Sequence, residues 1–294
     1  MKNTQLWTAL VTPMQPDGQI DFEDLESLVR RQEKAGNGVL LIGSTGEGLA
    51  LGEEEKMAVV EHVSDMQLSV PVMAGVGGYN LEIQKKWIRY CNGLEIDAFL
   101  LVTPLYSKPG PVGQVEWFTA LLSVSEKPCM VYNIPGRTGA KIPPSVFDKI
   151  ESHTNFWSIK EASGSIRDYQ AFRLAIPNVP IYSGDDGMLP FFAVAGCSGL
   201  VSVASNVWPE ATKLYVERCL KGETESLFPL WKHATEILFC VSNPIPAKML
   251  LLEKGLIKSP VLRMPLTPSE LDSTEDLIHM DQEISNWFNE NNTK

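Results

Sequence analysis

Eight short apolar runs, each bounded by turn residues and followed by a stretch of helical periodicity, restrict this chain more than any other feature. The runs are "LWTALVTP" (6–13), "GVLLIGS" (38–44), "VPVMAGV" (70–76), "AFLLVTP" (98–104), "CMVYNIP" (129–135), "FWSIKEA" (156–162), "PIYSGDD" (180–186) and "GLVSVAS" (199–205). Short runs of this composition read as strands. The segments between and after them, 22–36, 53–66, 81–92, 113–125, 144–151, 166–175, 187–195 and 209–220, read as helices. The first follows Asp21 as a cap, sets Leu25, Leu28 and Val29 on one stripe and closes at Gly36. Strict alternation implies a parallel sheet, and eight units are the number that closes into a (β/α)8 TIM barrel. The unbroken apolar character of the runs agrees, since barrel strands are covered on both faces.

An open doubly wound sheet would normally carry a dinucleotide fingerprint after its first strand, and none is present. "GSTGEG" (43–48) has neither the GxxxxGK[ST] nor the GxGxxG spacing. The barrel is expected over 1–220 as the catalytic unit. A small C-terminal helical domain is expected over 221–294, with helices in "ESLFPLWKHATEILFCV" and "STEDLIHMDQEISNWF" separated by the Pro-rich turns "NPIPAK" and "RMPLTPSE".

Composition narrows the function classes. With 25 Lys+Arg against 36 Asp+Glu the formal charge is -11, the wrong sign for gripping nucleic acid. No apolar run is long enough to span a bilayer, and "MKNTQLWTALVTP" lacks the basic and long apolar regions of a secretory signal, so a cytoplasmic location and no membrane partner are expected. Cys91, Cys129, Cys197, Cys219 and Cys240 are scattered without CxxC spacing and several sit in apolar runs, in keeping with buried free thiols. His62, His153, His233 and His279 are far apart and lack ligand-like neighbours, so no metal is expected.

Barrel chemistry sits at the C-terminal strand ends. The reactive side chains there are Ser44, Thr45, Tyr106, Tyr132, Arg137, Lys160, Asp185 and Asp186. Lys160 stands out, because the strand "FWSIKEA" is bound for an apolar interior yet delivers an ammonium. Burial without a partner drives such a group toward the neutral amine, a nucleophile that forms Schiff bases with carbonyls. An ion pair with Glu161 or a tip reaching solvent would also hold it, although adjacent strand residues point to opposite faces. Tyr132 on the neighbouring strand can move protons, or be a core aromatic with a satisfied hydroxyl. Thr45 can relay a proton. The turn "STGE" can offer backbone N–H groups to a carboxylate at the start of the following helix, and Arg137 offers a bidentate fork for a second carboxylate.

Taken together, "GSTGEG", "YNIPGRTG", "IKEASG", "SGDD" and "NPIPAK", in that order over nearly the whole chain, resemble the dihydrodipicolinate synthase family of the pyruvate-dependent class I aldolases. The resemblance implies condensation of pyruvate with aspartate-4-semialdehyde on the way to diaminopimelate and lysine. It requires no cofactor beyond a covalent imine between pyruvate and Lys160. It matches Tyr132 to the proton-shuttling tyrosine and Thr45 to the threonine linking it to a second tyrosine, matched by Tyr106, which in the family reaches a neighbouring subunit's site. A homo-oligomer is therefore implied, at least a dimer and by resemblance a dimer of dimers. Arg137 matches the arginine that holds the aldehyde substrate's carboxylate, and Gly184 and Val201 fall where relatives line the pyruvate pocket. Ser44 falls in the substrate-binding turn, where synthases usually carry threonine and the sister lyases serine. N-acetylneuraminate lyase or a 2-keto-3-deoxysugar acid aldolase is thus the alternative, and Arg137 argues for the synthase. A barrel that only binds is disfavoured by the intact Lys160, Tyr132 and Thr45 set.

The resemblance also bears on feedback by lysine. Asn80 matches the inhibitor site of sensitive relatives, whereas Leu105 replaces a tyrosine, Gln84 a glutamate and Lys56 a histidine, and Gly48 and Leu49 replace a small polar and small apolar pair. Weak or absent inhibition is expected, the alternative being that Glu53, Glu54 or Glu55 substitutes for the missing carboxylate.

Overall fold

A computed structural model describes residues 4–225 and 227–292. Ser226, which falls inside the expected helical stretch 225–241, lies outside the described residues, as do 1–3 and 293–294 at the ends of the two expected domains. The strands are β1 (Leu6–Ala9), β2 (Gly38–Leu41), β3 (Val72–Val76), β4 (Ala98–Val102), β5 (Cys129–Asn133), β6 (Phe156–Glu161), β7 (Ile181–Ser183) and β8 (Gly199–Ser202). They pair in sequence order, all parallel, and β8 returns to β1, closing the barrel. Around it run α1 (Phe22–Ala35), α2 (Glu53–Asp65), α3 (Leu81–Asn92), α4 (Pro111–Val124), α5 (Pro135–Thr138), α6 (Pro144–Ile150), α7 (Ile166–Ala175), α8 (Leu189–Val194) and α9 (Pro209–Lys221). Beyond them lie α10 (Phe228–Leu238), α11 (Ile245–Glu253) and α12 (Glu275–Asn291).

Local chemistry explains the helix limits. The Asp21 side chain accepts from the amides of Glu23 and Asp24 to open α1, and Gly36 closes it in the left-handed region at φ 73°. Asn80 and Ser165 cap α3 and α7 in the same way. Several apolar runs outlast their strands because their last residues turn into the βα loops; Ala204–Asn206, for example, form a 3-10 turn after β8.

Two cores result. Trp7, Leu40, Met73, Leu100, Tyr182 and Val201 are among the residues that fill the barrel interior. A larger apolar shell joins the strands to the helices, including the C-terminal Trp231, Leu250, Met280 and Trp287.

Two segments differ from the sequence expectation. "NPIPAK" is not a turn between helices: it opens α11, with Pro246 in the first turn, where its missing N–H leaves no bond unmade. A short helix, α5, also intervenes after β5, opened by Pro135 and closed by Gly139 in the left-handed region.

Candidate active site

Parallel pairing of β5 and β6 sets Tyr132 directly opposite Lys160. Lys160 turns inward and is 4% exposed, with its Nζ 4.2 Å from the centre of the Tyr132 ring. Glu161 points the other way, where it accepts from Asn133 Nδ2 at 2.7 Å and from the Ser163 amide at 2.7 Å. It forms no ion pair with Lys160, and Lys160 has no salt-bridge partner among the described residues. Burial brings the Lys160 ammonium down to about 7, with Asp186 pulling the other way and Arg137 adding to the depression. Burial pushes the Tyr132 phenol up to about 12, opposed by Arg137 and by the Ser44 hydroxyl. The pair is therefore a lysine that is partly neutral near pH 7 beside a phenol that keeps its proton.

Gly184, just after β7, makes room for this lysine: a Cβ there would lie 2.6 Å from Lys160 Cε and 2.8 Å from the Ala162 Cβ. Val201 on β8 is buried in the interior layer with Tyr132 and Tyr182.

The turn after β2 is compact. Ile42, a β-branched residue, sits at φ 49°, a conformation that costs of order 1–3 kcal/mol outside glycine. A Cβ on Gly48 would fall 1.9 Å from the Ile42 carbonyl oxygen, so only glycine closes the turn. The Glu47 and Gly48 amides are spent on Ser44 O and Gly43 O, while the Ser44, Thr45 and Gly46 amides donate to no protein acceptor among the described residues. α2 begins at Glu53, as expected, after Gly52 as its cap, so the "STGE" amides do not lie at the start of that helix as the sequence reading places them. The N–H groups available to an anion belong to the turn itself, a nest of the kind that binds carboxylates without a helix behind it.

Thr45 is buried behind the cavity wall, its Oγ1 accepting from Asn243 Nδ2 at 3.0 Å. Among the described residues no hydrogen bond joins it to Tyr132 or Tyr106. Tyr106 is 83% exposed, at φ 66°, with its ring 6.5 Å from that of Tyr79. It is not among the residues that line the cavity with Lys160. Arg137, carried by α5, lines the cavity, and its Nη2 donates to the Asn243 carbonyl at 3.4 Å. Asp185 and Asp186 serve the backbone instead. Asp185 accepts from the Gly187 amide, and Asp186 accepts from the Ser202 hydroxyl and the Val203 and Ala204 amides.

A cavity of about 630 Å³ joins Ser44, Tyr132, Arg137 and Lys160 at its inner end to Lys56 and Gln84 further out. Asn243, Glu47 and Lys248 are not marked as site residues by the sequence reading. The one signal for Lys248 is a cation set in the apolar stretch "IPAKMLLLE", the same anomaly that marks Lys160.

The chain matches the Dihydrodipicolinate synthetase family over residues 2–283. It is 46% identical to the 4-hydroxy-tetrahydrodipicolinate synthase of Francisella philomiragia over 289 residues, 97% of each chain. It resembles the chloride-inhibited dihydrodipicolinate synthase of Acinetobacter baumannii, solved with pyruvate, at TM-score 0.87 and 30% identity, covering 98% of both chains. A monomeric dihydrodipicolinate synthase variant is similar at TM-score 0.87 and 28% identity, with 97% of this chain and 96% of that one covered.

Proposed function

The chain belongs to the dihydrodipicolinate synthetase family, and from that premise we propose that it is a class I aldolase-type lyase that condenses pyruvate with aspartate-4-semialdehyde to 4-hydroxy-tetrahydrodipicolinate, a step in diaminopimelate and lysine biosynthesis. The observation that carries this reading is Lys160, an amine desolvated inside the barrel beside Tyr132. In the neutral form it adds to the C2 carbonyl of pyruvate; the carbinolamine takes up a proton and loses water, giving the imine. Loss of a methyl proton turns the imine into an enamine, whose carbon attacks the aldehyde, and the aldehyde oxygen takes up a proton; the semialdehyde's own amino group then adds to C2 and displaces the Lys160 amine, which closes the ring as 4-hydroxy-tetrahydrodipicolinate and frees the lysine. Tyr132, still protonated at neutral pH, is placed to give and take these protons.

The pyruvate carboxylate fits the open amides of Ser44 and Thr45, and the semialdehyde carboxylate fits Arg137. The imine itself withdraws electrons, so this scheme calls on no metal or cofactor. A keto-sugar acid lyase remains the rival because of Ser44; Arg137 in the cavity wall and the 46% identity to a named synthase favour the condensation. We place each working site at a junction between copies, with Tyr106 of one completing the site of another, in a dimer or a dimer of dimers. The exposed Tyr106 and Tyr79 rings support this, although one related variant is monomeric. A cytoplasmic location is in keeping with the lack of any helix, among the described residues, long and apolar enough to cross a membrane.

Borohydride reduction with pyruvate tests the reading. It should add the mass of a reduced pyruvate adduct to the peptide containing Lys160; no adduct, or one on another lysine, would overturn the mechanism.

A further inference from the structure

The "NPIPAK" segment has no task in the chemistry above, yet it reaches the substrate turn through a fully buried ion pair. We infer that Lys248, paired with Glu47, is a positioning residue that holds the Ser44–Gly48 turn in its carboxylate-binding shape, an inference that rests on the proposed pyruvate chemistry. Lys248 Nζ lies 2.6 Å from Glu47 Oε1, with side chains 0% and 1% exposed. The pair is completed on both sides: Lys248 Nζ also donates to Val261 O at 2.8 Å, and the second Glu47 oxygen accepts from the Arg263 amide at 2.7 Å. Partners 201 and 216 positions away thus meet at one carboxylate.

A satisfied buried pair of this kind is a poor source of net stability, since apolar side chains of similar volume often do as well. What it supplies is a fixed distance and direction. The turn Gly43–Gly48 has three glycines, two small hydroxyl residues and Glu47 as its one long side chain; Thr12 Oγ1 holds the Gly46 carbonyl at 2.8 Å, and Glu47 is the side chain of the turn that reaches a charged partner. Glu47 itself stands at φ 54°, so the strained backbone is held from the side-chain end. The same segment adds a second tie, Asn243 Nδ2 to Thr45 Oγ1 at 3.0 Å. Because Thr45 Oγ1 accepts there, its own O–H is left free to donate elsewhere. The Asn243 carbonyl also receives Arg137 Nη2, so both proposed carboxylate sites lean on the start of α11. Loosening the pair moves the Ser44 and Thr45 amides and leaves the Lys160 amine in place.

The test is the paired variant E47Q/K248M, which removes the ion pair without stranding a buried charge, with K248R as a second variant that keeps the charge but lengthens the arm. The pyruvate KM should rise about tenfold or more while kcat at saturating pyruvate stays within about threefold, a split that marks lost ground-state positioning. The Glu47 and Gly48 amides, which bond within the turn, should exchange with deuterium faster, and the melting temperature of the paired variant should stay near that of the unaltered protein. A pyruvate KM within about twofold of the unaltered protein in the folded variants, or unchanged exchange in the turn, overturns the inference. If the unaltered protein forms no pyruvate imine, the functional reading fails, and the exchange measurement still decides whether the pair holds the turn.

Discussion

In the proposed chemistry Lys160 turns a folding cost into reactivity. Its amine is held at about 7, against an ordinary lysine value of 10.5, chiefly because burial disfavours the charged form. The folded value lies below the unfolded one, so between these two pH values the unfolded chain holds a proton that the folded chain has lost. Stability from this group therefore rises with pH across that window, and the full cost is present below about pH 7. Lys160→Met should abolish turnover yet stabilise the fold by up to ~5 kcal/mol at pH 6, with the gain shrinking toward pH 10. Denaturant melts of both proteins across that range check it; a gain that grows with pH would mean that the lysine is not buried as an uncompensated charge. Gly184 is the counterpart of this lysine, since any side chain there would occupy the space of Lys160 Cε.

At the scale of elements, the site is made by the segments that leave the C-terminal ends of the strands. The turn after β2 supplies open amides, and α5 after β5 supplies Arg137, whose guanidinium both lines the cavity and depresses the Lys160 amine. These two effects separate in Arg137→Ala. Pyruvate should still form its imine, while kcat/KM for aspartate-4-semialdehyde should fall about 10- to 100-fold, matching the ~1.5–3 kcal/mol of a charge-assisted hydrogen bond. Removing the nearby positive charge should also move the midpoint of the pH dependence of imine formation upward. Trapping with pyruvate alone and steady-state assays with both substrates distinguish the two, and an equal loss in both would show that Arg137 serves the pyruvate step instead.

For the whole molecule the notable surface is apolar and lies at the cavity mouth. Leu49 and Ile83 line the cavity and remain exposed, and Tyr79 and Tyr106 stand out beside each other. Exposed aromatics in a cluster mark interaction sites. Sedimentation at micromolar concentration should give a dimer or larger, and Tyr106→Ala should cut turnover while Lys160 still traps pyruvate; a fully active monomer would refute the shared site. The same cavity explains why free lysine should inhibit weakly or not at all. Lys56 and Gln84 line it, burial lowers the Lys56 amine, Glu53 is tied to Lys86 at 2.7 Å, and Glu55 is bound by Arg263. Among the described residues of that wall the acidic side chain is Glu53, already paired, so a second ammonium would meet the Lys56 charge, a loss of ~1.5–3 kcal/mol relative to a site with a free carboxylate. Titrating lysine into initial-rate assays at saturating pyruvate checks this, with half-inhibition below about 1 mM counting against it.

The barrel and the buried lysine are both legible in the linear chain. Eight alternations of strand and helix are local patterns, each written in consecutive residues, and only one closed parallel sheet absorbs them all. Lys160 is legible for the same reason, as a charge in an apolar strand, and strand alternation alone keeps Glu161 from being its partner. Packing alone settles the features that depend on pairs far apart in the chain. "NPIPAK" reads as a turn because two prolines punctuate it, and only packing reveals that both fit the opening of α11 and that Lys248 meets Glu47 across 201 positions. The depth of Lys160, the space left by Gly184, the tie from Asn243 to Thr45 and the outward stance of Tyr106 are likewise distances between separate segments. Periodicity fixes which face a residue takes, whereas the partner waiting on that face is set only when the barrel closes.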